Sequence, residues 1–252
     1  MDTALAAVKA AGDAALRHFR TGVRIEHKQD RSPVTVADRE AEAAALDVIG
    51  KAFPDHAILG EETGLRPGEG QSRWIIDPID GTRGFIRGGK AWGPLVALEL
   101  GGRMVAGAMA IPAEGRCYWA AEGKGAYRDG ERLHLTEVKD WSQATLSLGE
   151  LQNLLAPPYR EDVLELVGTC EAARCEGDLV GCAMLLDGRA DAWLEAGVRI
   201  WDLAPLKVLV EEAGGRFTNF SGRNVVDEAS SIASNGHVHE HLIETLNRKE
   251  SL

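Results

Sequence analysis

The chain has 252 residues, 39 acidic against 28 basic, and a formal net charge of −11. Apolar residues make up 44% and charged residues 27%, an ordinary globular composition with enough chain for a substantial core. The acidic balance argues against a nucleic-acid footprint or a polybasic membrane patch, so a bound phosphate would need a local device such as metal ions or backbone N–H groups.

Leu5, Val8, Gly12, Leu16 and Phe19 recur at helical spacing and predict a helix over 3–20. Asp2, Lys9 and Asp13 interrupt its apolar run, unlike a secretory leader, and no run approaches the roughly 18 apolar residues of a membrane span. Cys117, Cys170, Cys175 and Cys182 form no C-x-x-C pair and read as reduced thiols of a cytoplasmic protein. "DRSPVTVAD" (30–38) predicts a turn and a short extended piece. A second helix follows from about Asp38 to Phe53 and is closed by Pro54-Asp55.

"AILGEETG" (57–64) predicts a short strand ending in acids, and "RWIID" (73–77) another. Residues 92–135 read as an antiparallel meander of successive strands with Gly-Gly, Pro-Ala-Glu-Gly and Asp-Gly turns. From about residue 142 strands and helices alternate. "ATLSL", "TCEAAR", "ADAWLE", "RFTNF" and "SIASN" are strands. Helices are expected over 160–167, "LVGCAMLLDG", "WDLAPLKVLVEEAGG" (closed by Gly214-Gly215) and 237–249. The expectation is an α/β architecture of stacked layers. Its N-terminal α+β half (1–141) carries most of the metal-ligating acids; its C-terminal α/β half (142–252) supplies Asp202 and substrate-pocket residues.

Acids follow the ends of three apolar runs: Glu61-Glu62 after "AILG", Asp77 and Asp80 after "WII", and Asp202 after "RIW". Asp38 sits where the second helix starts. Strand ends and helix starts gather along one rim in layered folds. Two unit charges about 4 Å apart repel by roughly 4 kcal/mol at an effective dielectric near 20, so convergence requires protons or divalent cations. An oxygen-only donor set suits Mg²⁺ or Mn²⁺.

In "DPIDGT" (77–82), Pro78 stiffens a turn that brings Asp77 and Asp80 together and exposes the Ile79 carbonyl. Gly81-Thr82 opens a short helix whose free N–H groups favour an anion. Thr82 paired with Asp38 can orient and deprotonate a water, which fits metal-assisted hydrolysis of a phosphate monoester. By spacing alone, four separate structural caps and one shared site both stay open.

"GEETG" (60–64), "WIIDPIDGTRGFIRG" (74–88) and "WDLAPLKVLVEEAGG" (201–215), in that order, strongly resemble the inositol monophosphatase family of Mg²⁺-dependent, lithium-sensitive phosphatases. "SPVTVAD" (32–38), "GKGAYRDGERL" (123–133) and "GRADAWLE" (188–195) extend the resemblance to nearly the whole chain. It implies an α-β-α-β-α sandwich and a homodimer. It implies two or three Mg²⁺ ions, with Mn²⁺ as a substitute, held by Glu61, Asp77, the Ile79 carbonyl, Asp80 and Asp202. Thr82 and Asp38 become the water-activating pair, with Glu61 beside them in catalysis. Gly81 and Thr82 become phosphate-binding amides, and Glu62 supports the ligands from behind.

The leaving group falls to Glu195, seven residues before Asp202, and Asp178. "GTRGFIRGGKAWGPLVALELGGRMVAGAMAIPA" (81–113) and "CEGDLVGCAML" (175–185) resemble the histidinol-phosphate phosphatase branch. A second acid at Asp178 suits an ammonium and a partly protonated imidazole, although Asp178 reads equally as a helix cap. The expected substrate is L-histidinol phosphate, a step of histidine biosynthesis. Inositol 1-phosphate, a sugar or nucleotide phosphate, and a non-catalytic Mg²⁺-dependent regulator on the same fold are the alternatives. "HVHEH" (237–241) spaces His237 and His241 one helical turn apart, as in zinc sites, but reads as solvated histidines at a helix start. Lys28, before the "SPVT" turn, either reaches the phosphate or is a solvated lysine, the second being the preferred reading. Arg83 and Arg87 either steer substrate or lie on a dimer surface. No Walker loop or G-x-S-x-G elbow is present.

Overall fold

In the computed structural model, which describes residues 1–248, the elements follow these apolar periods. Helix α1 (Asp2–Leu16) leads through a small hairpin, β1 (Glu26–His27) and β2 (Pro33–Val34), to α2 (Val36–Ala52). Strands β3 (Ala57–Gly60), β4 (Gly64–Arg66) and β5 (Ser72–Asp80) and helix α3 (Thr82–Ile86) come next. The meander is β6 (Gly93–Leu100), β7 (Arg103–Ile111), β8 (Arg116–Ala121), β9 (Gly125–Arg128) and β10 (Glu131–Arg132). The remainder is β11 (Thr145–Leu148), α4 (Leu151–Leu154), α5 (Arg160–Thr169), β12 (Ala172–Arg174), α6 (Asp178–Leu186), β13 (Ala192–Ala196), α7 (Ile200–Glu212), β14 (Arg216–Thr218), β15 (Ser230–Ser234) and α8 (His239–Leu246).

Eight strands form one sheet in the order β10-β9-β8-β7-β6-β5-β3-β4, and five form a second in the order β12-β11-β13-β15-β14. The first is antiparallel except where β3 runs parallel to β5. Three apolar layers hold the stack together. Ala4, Ala7 and Ala11 of α1 meet Ala37, Ala41 and Ala45 of α2, and small side chains let the two helices lie close over Trp74, Ile76 and Val96. Helices α6 and α7 fill the space between the sheets with Leu179, Leu203, Leu206 and Leu209 against Ile75, Leu95, Met109 and Trp193. Helices α5 and α8 cover the far face of the second sheet through Val163, Leu166 and Leu242 on Leu146, Leu194 and Ile232. The result is an α-β-α-β-α sandwich, as expected.

The expected end of the third strand at Asp77 is overturned. Strand β5 runs on to Asp80, and its pairing with β6 steps from Asp77↔Leu95 to Asp80↔Gly93. Three residues on β5 thus answer two on β6, a β-bulge. In a regular strand, positions three apart face opposite sides. The extra residue cancels that half-step and puts both acids on one face. The second helix also starts earlier than expected, at Val36 with Thr35 as its cap. The last helix is shorter than 237–249, and Lys249 lies outside the described residues. His239 is not solvated: it is fully buried, with Nε2 on Thr218 Oγ1 (3.0 Å) and Nδ1 on Ser234 Oγ (2.8 Å). Burial, then the nearby Arg216 charge, lowers its pKa to about 4.

Helix α7 can seat on the first sheet because position 107 carries no side chain. A Cβ there would lie 2.4 Å from the Pro205 carbonyl oxygen and 3.0 Å from its Cα. Gly107→Ala must therefore push α7, and Asp202 at its start, away from β5. We expect a loss of about 1–3 kcal/mol in urea unfolding, with a smaller gain of melting temperature on adding Mn²⁺ than in the wild type.

Candidate functional site

The parallel pairing of β3 with β5 aligns their ends, Gly60 opposite Ile76. Glu61 therefore emerges beside Asp77, and its amide donates to the Ile76 carbonyl (3.1 Å). The β5 bulge adds Asp80, and the start of α7 brings Asp202. Asp77, Asp80 and Asp202 each offer a carboxylate oxygen, and these atoms all lie within 4.8 Å of one another. Asp77 and Asp80 are buried, and Ile79 between them is too.

Backbone amides orient these acids. Asp77 Oδ1 accepts from the Ile79 amide (3.0 Å), Asp80 Oδ2 from the Leu179 amide at the start of α6, and Asp202 Oδ2 from the Arg199 amide (2.6 Å). Asp38 follows the same rule. Its Oδ2 accepts from the amide (2.7 Å) and hydroxyl (2.8 Å) of Thr35, while Oδ1 faces the Thr82 hydroxyl at 3.2 Å. Thr82 Oγ1 also lies 2.9 Å from the Ile79 carbonyl, so its single proton has two acceptors. Gly81 caps α3 at this point.

Burial dominates the electrostatics. It raises the Asp77 carboxyl well above its usual value, reinforced by the charges of Glu61, Asp80 and Asp202. Burial raises Asp80 likewise, reinforced by Asp178, Asp202 and Glu195. Asp202 rises to about 6 by burial, against the opposing Arg199 amide. Asp38 is raised by burial and held back by its Thr35 bonds. Protons, or a divalent cation, must relieve this crowding. The donors are hard oxygens, the set that Mg²⁺- or Ca²⁺-like ions take.

Lys28 is not solvated. Its Nζ lies 2.7 Å from Glu61 Oε1 and 2.7 Å from Glu62 Oε1, and these acids raise its pKa although burial, the largest single influence, works to lower it. Burial raises Glu62 to about 7, opposed by Lys28 and aided by the Glu61 charge. Arg83 reaches Glu150 (2.9 Å) across the cleft, and Arg87 is exposed.

Next to the acidic centre opens a cavity of about 910 Å³ lined by Arg83, Glu150, Asp178, Trp193, Glu195 and Arg199 among others. Glu195, 1% exposed, stands on β13, and its Oε2 accepts from the Asp178 amide (3.1 Å). Gly177 is the N-cap of α6 and Asp178 its first residue, so Asp178 is not the helix cap. Burial and then the Glu150 charge raise Asp178 to about 6. Burial, then Asp178 and Glu150, raise Glu195. Asp178 and Glu150 both hold left-handed backbone, φ 52° and 43°, a strain that concentrates at functional sites. Sequence reasoning missed Glu150, and its position after Gly149 at a strand end was the available signal. It also missed Glu42, which carries no signal beyond its place one turn after Asp38.

The family model described as the inositol monophosphatase family matches residues 1–251. A histidinol-phosphatase of Mycobacterium tuberculosis is 37% identical over 230 residues, covering 89% of this chain and 88% of that protein. Among solved structures, the extragenic suppressor protein suhB of Bartonella henselae superposes with a TM-score of 0.93 at 27% identity, covering 100% of this chain and 99% of the other. A Thermotoga maritima IMPase gives 0.88 at 29% identity, covering 98% and 96%. No helix among the described residues is long and apolar enough to cross a membrane.

The raised carboxyls set a pH signature. A carboxyl with a raised folded pKa binds its proton more tightly folded than unfolded, so the stability it contributes is present at low pH and lost as pH rises through the folded value. With Asp202 near 6 and Glu62 near 7, these groups favour the ion-free fold at pH 5.5 over pH 7.5. A divalent ion that engaged Asp202 would displace its proton, so it would stabilise more at the higher pH. Melting curves in EDTA and in saturating Mg²⁺ should show the larger ion-induced gain at pH 7.5, and Asp202→Asn should flatten that difference.

Proposed function

The chain belongs to the inositol monophosphatase family and is a phosphoric monoester hydrolase, and we propose that it hydrolyses L-histidinol phosphate with the help of Mg²⁺. On this reading Glu61, Asp77, the Ile79 carbonyl, Asp80 and Asp202 hold the ions. The three converging aspartates and their crowded, buried charge support it. Bound there, the ions would offset the phosphate's charge and lower the pKa of the attacking water.

The chain's own groups do the rest. With its hydrogen donated to Asp38, the Thr82 hydroxyl offers its lone pairs to the attacking water; as the water's oxygen bonds phosphorus, its proton passes to Thr82 while the Thr82 proton passes to Asp38. Asp38, made more basic by burial, is a competent proton sink. The amides of Gly81 and Thr82 at the start of α3 face the phosphate. Glu62, paired with Lys28, backs Glu61 without facing the substrate.

The substrate assignment rests on one observation: the cavity beside the acidic centre carries further acids, Glu195 buried and Asp178 and Glu150 close to it. Arg83 partners Glu150 on the exposed side. Such walls favour a leaving group bearing an ammonium and an imidazolium over a neutral polyol. The relationship to a histidinol-phosphatase at 37% identity supports the same choice.

A panel of L-histidinol phosphate, inositol 1-phosphate, a sugar phosphate and a nucleotide, with Mg²⁺ and with or without Li⁺, tests the assignment. Histidinol phosphate should give the highest kcat/KM and Li⁺ should inhibit; a higher value for the inositol ester rejects the substrate. Asp178→Asn should raise KM for histidinol phosphate several-fold more than for inositol 1-phosphate. Thr82→Val should lower kcat by about 100-fold or more on every ester, whereas Asp80→Asn with unaltered activity would sink the metal mechanism.

A further inference from the structure

We propose that Glu42, on α2, is a positioning residue that sets the metal affinity of the site by fixing the turn bearing Glu61. This inference rests on the metal-dependent reading above. Glu42 is fully buried, yet among the described residues no basic side chain hydrogen-bonds to it. Its carboxylate accepts from two successive amides of the β3–β4 turn, Glu62 at 2.8 Å and Thr63 at 2.9 Å. The preceding amide, Glu61, is spent on the Ile76 carbonyl at 3.1 Å. Three consecutive N–H groups are therefore committed. The first ties Glu61 to the residue before Asp77, and the other two tie it to α2.

A buried carboxylate is costly unless its lone pairs are satisfied, and here two charge-assisted bonds from adjacent amides do so. The sequence makes room for it: a Cβ on Gly60 would lie 2.5 Å from Glu42 Oε1 and 2.7 Å from its Cδ. The carboxylate thus seats directly against the end of β3, leaving the Glu61 backbone little freedom to follow its side chain.

Glu42 also lies one turn beyond Asp38 on α2, and like charges at that spacing destabilise a helix. Both acids nonetheless turn to the same region. Asp38 reaches Thr82 (3.2 Å), and Glu42 holds the Glu61 turn. One face of one helix thereby fixes the spacing between the water-activating pair and the first ligand. Groups behind metal ligands typically change metal affinity by about 10–100-fold when removed.

Glu42→Gln keeps the shape but offers one acceptor oxygen to two amides. Gly60→Ala leaves Glu42 in place and pushes its carboxylate off the turn. Mn²⁺ titration by calorimetry should show about 10-fold weaker binding in each variant. Trp141→Phe is the stability control, because it loses the bond to Thr169 (3.0 Å) far from the site. It should lower the melting temperature and keep wild-type Mn²⁺ affinity. Wild-type Mn²⁺ affinity in whichever of the two variants folds overturns the inference, as does an equal loss in Trp141→Phe. Wild-type protein that binds no Mn²⁺ overturns the underlying reading and the inference together.

Discussion

Crowding of like charge is the constraint on which this structure turns. Asp77, Asp80 and Asp202 bring oxygens within 4.8 Å of one another, and two unit charges at about 4 Å repel by roughly 4 kcal/mol even at an effective dielectric near 20. The fold answers with backbone dipoles. Each of Asp38, Asp77, Asp80, Glu195 and Asp202 accepts from at least one main-chain amide. Amide bonds stabilise the anion without neutralising it. The acids keep their direction and also their appetite for a cation.

Glu61 stands apart. Its side chain is held by Lys28, and its backbone by Ile76 on one side and, through the next two amides, by Glu42 on the other. A side chain paired with an ammonium on a pinned backbone can exchange partners without losing its place. Asp77 and Asp80 have no such freedom, since the bulge that joins them is locked into a strand buried on both sides between α2 and α7.

Much of the architecture was legible in the sequence because it rests on local periods. The meander, the "WDLAPLKVLVEEAGG" helix and the acids at the ends of apolar runs all follow from spacing and turn chemistry, and the resemblance of the motifs supplied the layered fold. The bulge was not legible, because it is defined by the partner strand: Asp77 and Asp80 share a face only by virtue of how β6 pairs with them. The choice posed between cap and site for Asp38 and Asp202 was a false one. Each is the third residue of its helix and closes a cap with one oxygen, and Asp38 turns its other oxygen to Thr82. A capping box, in other words, aims a carboxylate. Lys28 and His239 were misread as solvated because their partners, Glu61 and Thr218, lie 33 and 21 residues away. Glu42 is hidden for the opposite reason: glutamate is common on exposed helix faces, so nothing local marks it as buried.

The residues proposed for the chemistry and those proposed to select the leaving group fall on different sheets, and one contact joins them. Asp80, at the end of β5, accepts from the amide of Leu179, the residue after Asp178. Asp178 in turn gives its amide to Glu195 on β13. Two successive amides at the start of α6 thus reach in two directions, one to the acidic centre and one to the wall of the substrate cavity. The left-handed backbone at Asp178, φ 52°, sits at that junction; a residue in such a conformation stays there only where its surroundings over-determine it. Any leaving group that draws on Asp178 pulls on the same short segment that orients Asp80. On the proposed function, recognition of the substrate would be mechanically continuous with the geometry of the metal-holding acids, so that a site built for one ester need not serve another equally well.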